Sequence, residues 1–156
     1  MKSPLTTLAE LRAGRLAGAT HLDLRHCQLE ELPREVFDLA DTLTMLDLSA
    51  NRLRTLPDDL PRLHALRILF CSDNLFETLP AVLGRCTGLD IIGFKANAIE
   101  HVPDEAIPPD VRWLILSDNR VEAVPESIGR CQRPLQSRDQ IEDSKTTVRI
   151  GRHRLR

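Results

Sequence analysis

Tyrosine is absent and tryptophan occurs once; with four phenylalanines, aromatics make up only 3% of the 156 residues. The core must be filled by something else, and leucine is the residue that fills it. Also absent is any apolar run near the ~18 residues of a membrane-crossing helix. The N-terminal MKSPLTTLAELRAGRLAGA lacks the continuous apolar stretch of a secretory signal. These two absences predict a soluble, cytoplasmic chain. The net charge of −2 gives the whole molecule no drive toward nucleic acid or a membrane surface. No Gly-x-Ser-x-Gly elbow occurs. The cysteines, Cys27, Cys71, Cys86 and Cys131, match no zinc-ligand spacing. His21, His26, His64, His101 and His153 are scattered. His21 and His26 lie near Asp23 and Arg25, but no nucleophile accompanies them. Neither a catalytic residue, nor a metal site, nor a cofactor is expected.

What is present is a repeated pattern. Leu43 to Ala65 reads LTMLDLSANRLRTLPDDLPRLHA. Leu46 and Leu48 alternate as on a strand, Asn51 follows, Leu56-Pro57 turns the chain, and Leu60 and Leu63 share one face of a helical turn. The same skeleton recurs from Ala19, Leu66, Leu89 and Val111, making five units over residues 19–131. The fourth is irregular: Pro108 and Pro109 stand where its last apolar helical position belongs, and prolines cannot continue a helix. A unit of this kind cannot bury its apolar face alone, so neighbours stack into a solenoid around one continuous core. The expected fold is α/β, with a parallel sheet on one side and short helices or turns on the other. All four cysteines fall on core positions and are expected as buried free thiols.

Asn51, Asn74, Asn97 and Asn119 end the strands of units two to five. Their amides are placed to bond backbone groups of adjacent turns as a structural ladder, and losing one leaves buried groups unpaired at ~1–3 kcal/mol each. Cys27 holds this position in the first unit and cannot replace an amide. Before the units, Thr6 to Ala13 reads as a capping helix, with Thr7 and Glu10 as a capping box and Gly14 as the stop. Leu8 and Leu11 face the first unit, and Leu5 and Leu16 extend that surface.

The pattern fails after Cys131, dividing a repeat domain (1–131) from a tail (132–156). The tail has seven Lys or Arg against three Asp or Glu. It reads as a solvated segment or an improvised cap, with Thr146 to Ile150 as a short edge strand. It lacks the aromatics that stack on nucleic-acid bases, so nucleic acid is not an expected partner. An uncovered last strand would leave the C-terminal edge open to self-association.

The units resemble leucine-rich repeats. At FDLADTL, LRILFCSDN, GFKAN (Gly93 to Asn97), IPPDVRWLILSDNR and VPESIGRC, the chain is similar to bacterial leucine-rich-repeat proteins whose repeats precede a protein-kinase-like domain. The resemblance covers about Leu5 to Arg130. It implies a horseshoe with the sheet on its concave side, and a role in recognition. The clustered end-cap cysteines of extracellular relatives are absent. So are a glycine-rich phosphate loop and an HRD-type catalytic loop, so no kinase residue carries over.

Alternation along each strand places one set of side chains on the concave face. The first column reads His21, Met45, Ile68, Ile91, Trp113; the second Asp23, Asp47, Phe70, Gly93, Ile115; the third Arg25, Ser49, Ser72, Lys95, Ser117; the fourth His26, Ala50, Asp73, Ala96, Asp118. Folding does not require apolar residues there, yet Met45, Ile68, Phe70, Ile91, Trp113 and Ile115 gather, with Gly93 expected to leave a dent. Rimmed by Asp47, Asp73, Lys95 and Asp118, this patch reads as a binding surface for a protein partner. Cross-strand packing and coverage by the tail are the other readings. A truncated recognition or regulatory part of a kinase-like enzyme, and a secreted bacterial effector, are alternative settings for the same surface.

Overall fold

The computed structural model describes residues 3–123 and the backbone of a strand at 145–149. Val124, Pro125, Ile128, Cys131 and the tail apart from that strand lie outside the described residues. Five short strands run parallel in sequence order: β1 (His21–Asp23), β2 (Met45–Asp47), β3 (Ile68–Phe70), β4 (Ile91–Gly93) and β5 (Trp113–Ser117). The register is the one the repeat predicts. Met45 pairs with Ile68, Ile68 with Ile91 and Ile91 with Trp113, and the core positions Leu46, Leu69, Ile92 and Leu114 follow suit. A slip of one residue would turn every leucine to solvent, so burial enforces this alignment.

Each strand is followed by a turn and a return segment. The returns carry 3-10 helices: η1 (Arg34–Leu39), η2 (Leu60–Arg62), η3 (Ala81–Arg85) and η4 (Asp104–Ala106). The skeleton leucines between the two sides form one buried cluster running through all five repeats. Phe76 and Phe94 meet inside it edge to face, 5.0 Å between ring centres and 73° between planes. Cys27, Cys71 and Cys86 are free and buried in it. Burial raises all three thiols, Cys86 to about 11.

The fourth return adapts to its prolines. η4 has only three residues, and Ile107 and Pro108 are buried where the longer returns use a helical residue. η4 also lies close on η3: a Cβ added at Gly84 would sit 1.7 Å from the Glu105 carbonyl oxygen.

The N-terminal helix α1 spans Pro4–Arg12, two residues earlier than expected at its start. Its cap is Ser3, whose side-chain oxygen accepts the Thr6 N–H at 3.2 Å. Thr7 is already inside the helix and donates its hydroxyl to the Ser3 carbonyl, so the Thr7–Glu10 capping box does not form. Proline at the first helical position explains the shift, since it needs no N–H there and presets φ. Gly14 ends the helix as expected, at φ +74°, with Arg15 N–H returning to the Glu10 carbonyl and Gly14 N–H to Leu11. Leu11 is buried and Leu8 and Leu16 pack on the core, whereas Leu5 is 60% exposed and does not extend that surface.

At the other end, β5 is not an open edge. A sixth strand, β6 (Lys145–Arg149), pairs antiparallel with it, Trp113 opposite Arg149 and Ser117 opposite Lys145. The tail does contribute the edge strand expected near Thr146, begun one residue earlier.

Candidate functional site

The concave face is built by the turns as much as by the strands. At each strand end the backbone turns through a left-handed residue: His26, Ala50, Asp73, Ala96 and Asp118 all have φ between +53° and +59°. These are the fourth-column residues, so that column is a row of turns rather than a continuation of the strands. The His26, Ala50, Asp73 and Ala96 amides donate to Ser49, Ser72, Lys95 and Ser117 of the next repeat. A left-handed residue with a side chain costs ~1–2 kcal/mol, which the asparagine that follows offsets.

Each asparagine is bonded at both ends. Asn51 Oδ1 accepts the Cys27 and Leu29 N–H groups at 3.0 and 2.9 Å, and its Nδ2 donates to the Leu24 and Leu48 carbonyls at 3.0 and 2.8 Å. Asn74 accepts from Leu53 and donates to Leu48 and Cys71. Asn97 accepts from Asn74 and Phe76 and donates to Cys71 and Phe94. Asn119 accepts from Ile99 and donates to Phe94 and Leu116. The first turn differs. Cys27 offers only an S–H directed at the Arg25 carbonyl, 3.4 Å away. This turn also has a second left-handed residue, Gln28 at φ +56°.

On this frame Met45, Ile68 and Ile91 stand side by side in the first column, half-buried, and Trp113 completes the row at 39% exposure. In the second column Asp47, Phe70 and Ile115 are half-buried. Gly93 leaves no dent: a Cβ there would lie 2.6 Å from Phe70 Cδ1, so the Phe70 ring already occupies the space. The patch is therefore a filled, continuous stripe. Among the rim residues, Asp73, Lys95 and Asp118 are exposed and form no ion pair among the described residues. Asp47 accepts the Ser49 N–H at 3.0 Å and lies 3.9 Å from Arg25.

Two ion pairs frame the stripe. Arg25 grips Asp23 through two nitrogens at 2.9 and 3.0 Å, and this hydrogen bonding lowers the Asp23 pKa. At the strand starts Arg112 grips Asp90 likewise, at 2.6 and 2.7 Å. The second pair was not foreseen, although opposite charges at equivalent positions of neighbouring repeats are its signal. Among the described residues no His, Cys, Asp or Glu side chains gather as a metal site. His21 Nδ1 meets the Thr20 hydroxyl at 2.9 Å, not a carboxylate.

Comparison with known proteins agrees with this geometry. Residues 17–76 match the family model described as leucine rich repeat. Human leucine-rich repeat-containing protein 7 is 40% identical over 68 residues, 44% of this chain and 4% of that protein. The human volume-regulated anion channel subunit LRRC8A is 31% identical over 93 residues, 58% of this chain and 11% of the subunit. The chain thus matches only a small fraction of the length of these relatives. Among solved structures, the leucine-rich repeat domain of the type III effector XopL superposes with a TM-score of 0.69 at 24% identity, over 83% of this chain and 47% of that one. A leucine-rich-repeat protein of Leptospira interrogans gives 0.59 at 22% identity, over 82% and 38%. Sequence, register and asparagine turns together give this chain the leucine-rich-repeat fold, a parallel solenoid behind an N-terminal helix, with the family model itself matched over residues 17–76.

Proposed function

We propose that this chain is a non-catalytic recognition module that binds a protein partner on its concave face. The observation that carries this is the stripe of Met45, Ile68, Ile91 and Trp113, backed by Phe70 and Ile115, on the solvent side of the sheet. The core is closed without it: the residues beneath, Leu46, Leu69, Ile92 and Leu114, are fully buried. Apolar side chains in adjoining strands, rimmed by the exposed charges Asp73, Lys95 and Asp118, suit a desolvated interface centre with a polar rim. Trp113 is the proposed anchor, because tryptophan buries much area with few rotatable bonds.

The test is a pair of variants. Trp113→Ala should weaken capture of a partner roughly 30-fold, as loss of a hot spot of about 2 kcal/mol does, while thermal stability changes little. A loss of stability near 3 kcal/mol, the cost of truncating a core aromatic, with unchanged capture would place Trp113 in the core and defeat the reading.

The same module suits several settings. The curated relatives are far longer than the matched segment, which favours a recognition segment serving a larger protein; a bacterial kinase-like enzyme is the one that GFKAN and RWLILSDN suggest. A secreted effector is the second setting, because XopL, described as a type III effector, shares the fold. Cytoplasmic residence follows from the first setting and secretion from the second; reporter-fusion translocation assays separate them. Self-association through the C-terminal end would have to displace β6 or use its outer edge, since β5 is paired on both sides. A sedimentation series in protein concentration tests it.

A further inference from the structure

From the spacing and charge of the concave stripe we infer that its occupant is an amphipathic α-helix of about three turns, lying across the strands. This rests on the concave-face reading above. Met45, Ile68, Ile91 and Trp113 are in register on four adjacent strands, so they recur every ~4.8 Å and span ~14 Å. A helix repeats its apolar face at 1.5 Å per residue. Its positions i, i+4, i+7 and i+11 span ~16 Å, within ~2 Å of the stripe. An extended chain presents every second side chain at ~6.7 Å, so four of them span ~20 Å and fall out of step.

Backbone hydrogen bonding points the same way. An extended peptide gains its ladder by adding to a sheet edge, and on the face it would press unpaired N–H and C=O groups against Ile68 and Ile91. A helix satisfies those groups internally, so its apolar stripe can rest on this one without leaving buried polar atoms.

The flanks orient the helix. At the strand starts Arg112 is engaged by Asp90, while Arg67, exposed just before β3, forms no ion pair among the described residues. At the strand ends, Asp73 and Asp118 outnumber Lys95. The complementary helix carries acidic residues on the flank toward Arg67 and basic residues on the flank toward Asp73 and Asp118.

Two display libraries of 16-residue segments, selected on the full chain, test this. One holds the segment helical within a rigid helical hairpin, and the other is linear with a central proline. The expected result is enrichment from the helical library of sequences with apolar i, i+4, i+7 spacing and the predicted flanks. Their affinity should fall at least 10-fold against Ile91→Asp and on placing proline at the helix centre. Ile91→Thr, which keeps a β-branched strand residue, should give a smaller loss and guards against misfolding of the aspartate variant. If binders that depend on Ile91 came only from the proline library, the helix would be overturned and the concave face retained. If neither library gave a binder sensitive to either Ile91 variant, both would fall.

Discussion

The strand side and the return side of this solenoid enclose the same core, yet only one of them repeats faithfully. On the strand side, five strands keep one register and the turns keep one left-handed residue at the same position. On the return side the 3-10 helices among the described residues have six, three, five and three residues, and the first and third gaps between them are filled differently. Between the first two, Arg34 and Arg62 lie over the Phe37 ring at 4.4 and 4.7 Å while both hold Asp59. Between the last two, Gly84 lets one backbone meet another. The cause is the backbone ladder. Inter-strand hydrogen bonds and asparagine amides impose one spacing, whereas the returns are spaced by the volume of whatever side chain lies between them.

The largest expected effect breaks the return side. Gly84→Ala places a methyl group against the Glu105 backbone, which has no flexible end to yield. A loss of about 3 kcal/mol is expected from overpacking of this kind, measured by chemical denaturation; a near-neutral variant would show that η3 and η4 separate easily.

The next breaks the strand side. Asn74→Ala unpairs the Leu53 amide and the Leu48 and Cys71 carbonyls and should cost about 1–3 kcal/mol. Arg52→Ala, exposed one residue beyond the equivalent asparagine of the preceding repeat, should cost less than about 0.5 kcal/mol. Equal denaturation midpoints would remove the ladder as the source of regularity.

A smaller effect sharpens the comparison at the first turn. Cys27→Asn would give that turn an amide able to reach its own Leu24 and Arg25 carbonyls, as Asn51 reaches Leu48 and Ser49. The expected gain is under about 1 kcal/mol, that of a single net hydrogen bond, because no earlier repeat supplies a further carbonyl. Slower amide exchange at Leu29 is the accompanying signature, and faster exchange would contradict it.

The smallest effect is electrostatic. Hydrogen bonding by Arg34, supplemented by Arg62, lowers Asp59 from its ordinary 3.8 to about 2. A depressed carboxyl pKa stabilises the fold above the unfolded value and ceases to do so as pH falls through the folded one. The contribution of Asp59 should therefore be complete above about pH 4 and gone near pH 2, and it is slight because the pair is exposed. Melting temperatures of the native chain and Asp59→Asn should differ at pH 6 and converge near pH 2; a gap unchanged with pH would mean the ring contacts, not the charge, hold this joint.

Sequence alone determined the strand register, the buried columns and the asparagine positions, because period-two alternation and a fixed repeat leave one alignment that buries every leucine. It also located the concave columns, since the same alternation that buries Leu46 turns Met45 and Asp47 to the opposite face of the sheet. Tertiary structure decided what depends on distances between repeats. Phe70 fills the space over Gly93, a contact between residues 23 positions apart that no local pattern encodes. Ser3 rather than Thr7 caps α1, because Pro4 competes as a helix start more strongly than a capping box does. The sequence marks Thr146 to Ile150 as an edge strand, but its antiparallel pairing with β5 is decided by the fold, since any chain with free N–H and C=O groups can satisfy an edge. Short-range periodicity is written in residue types, whereas side-chain volume across a gap and the partner of an edge are settled only once the chain has folded.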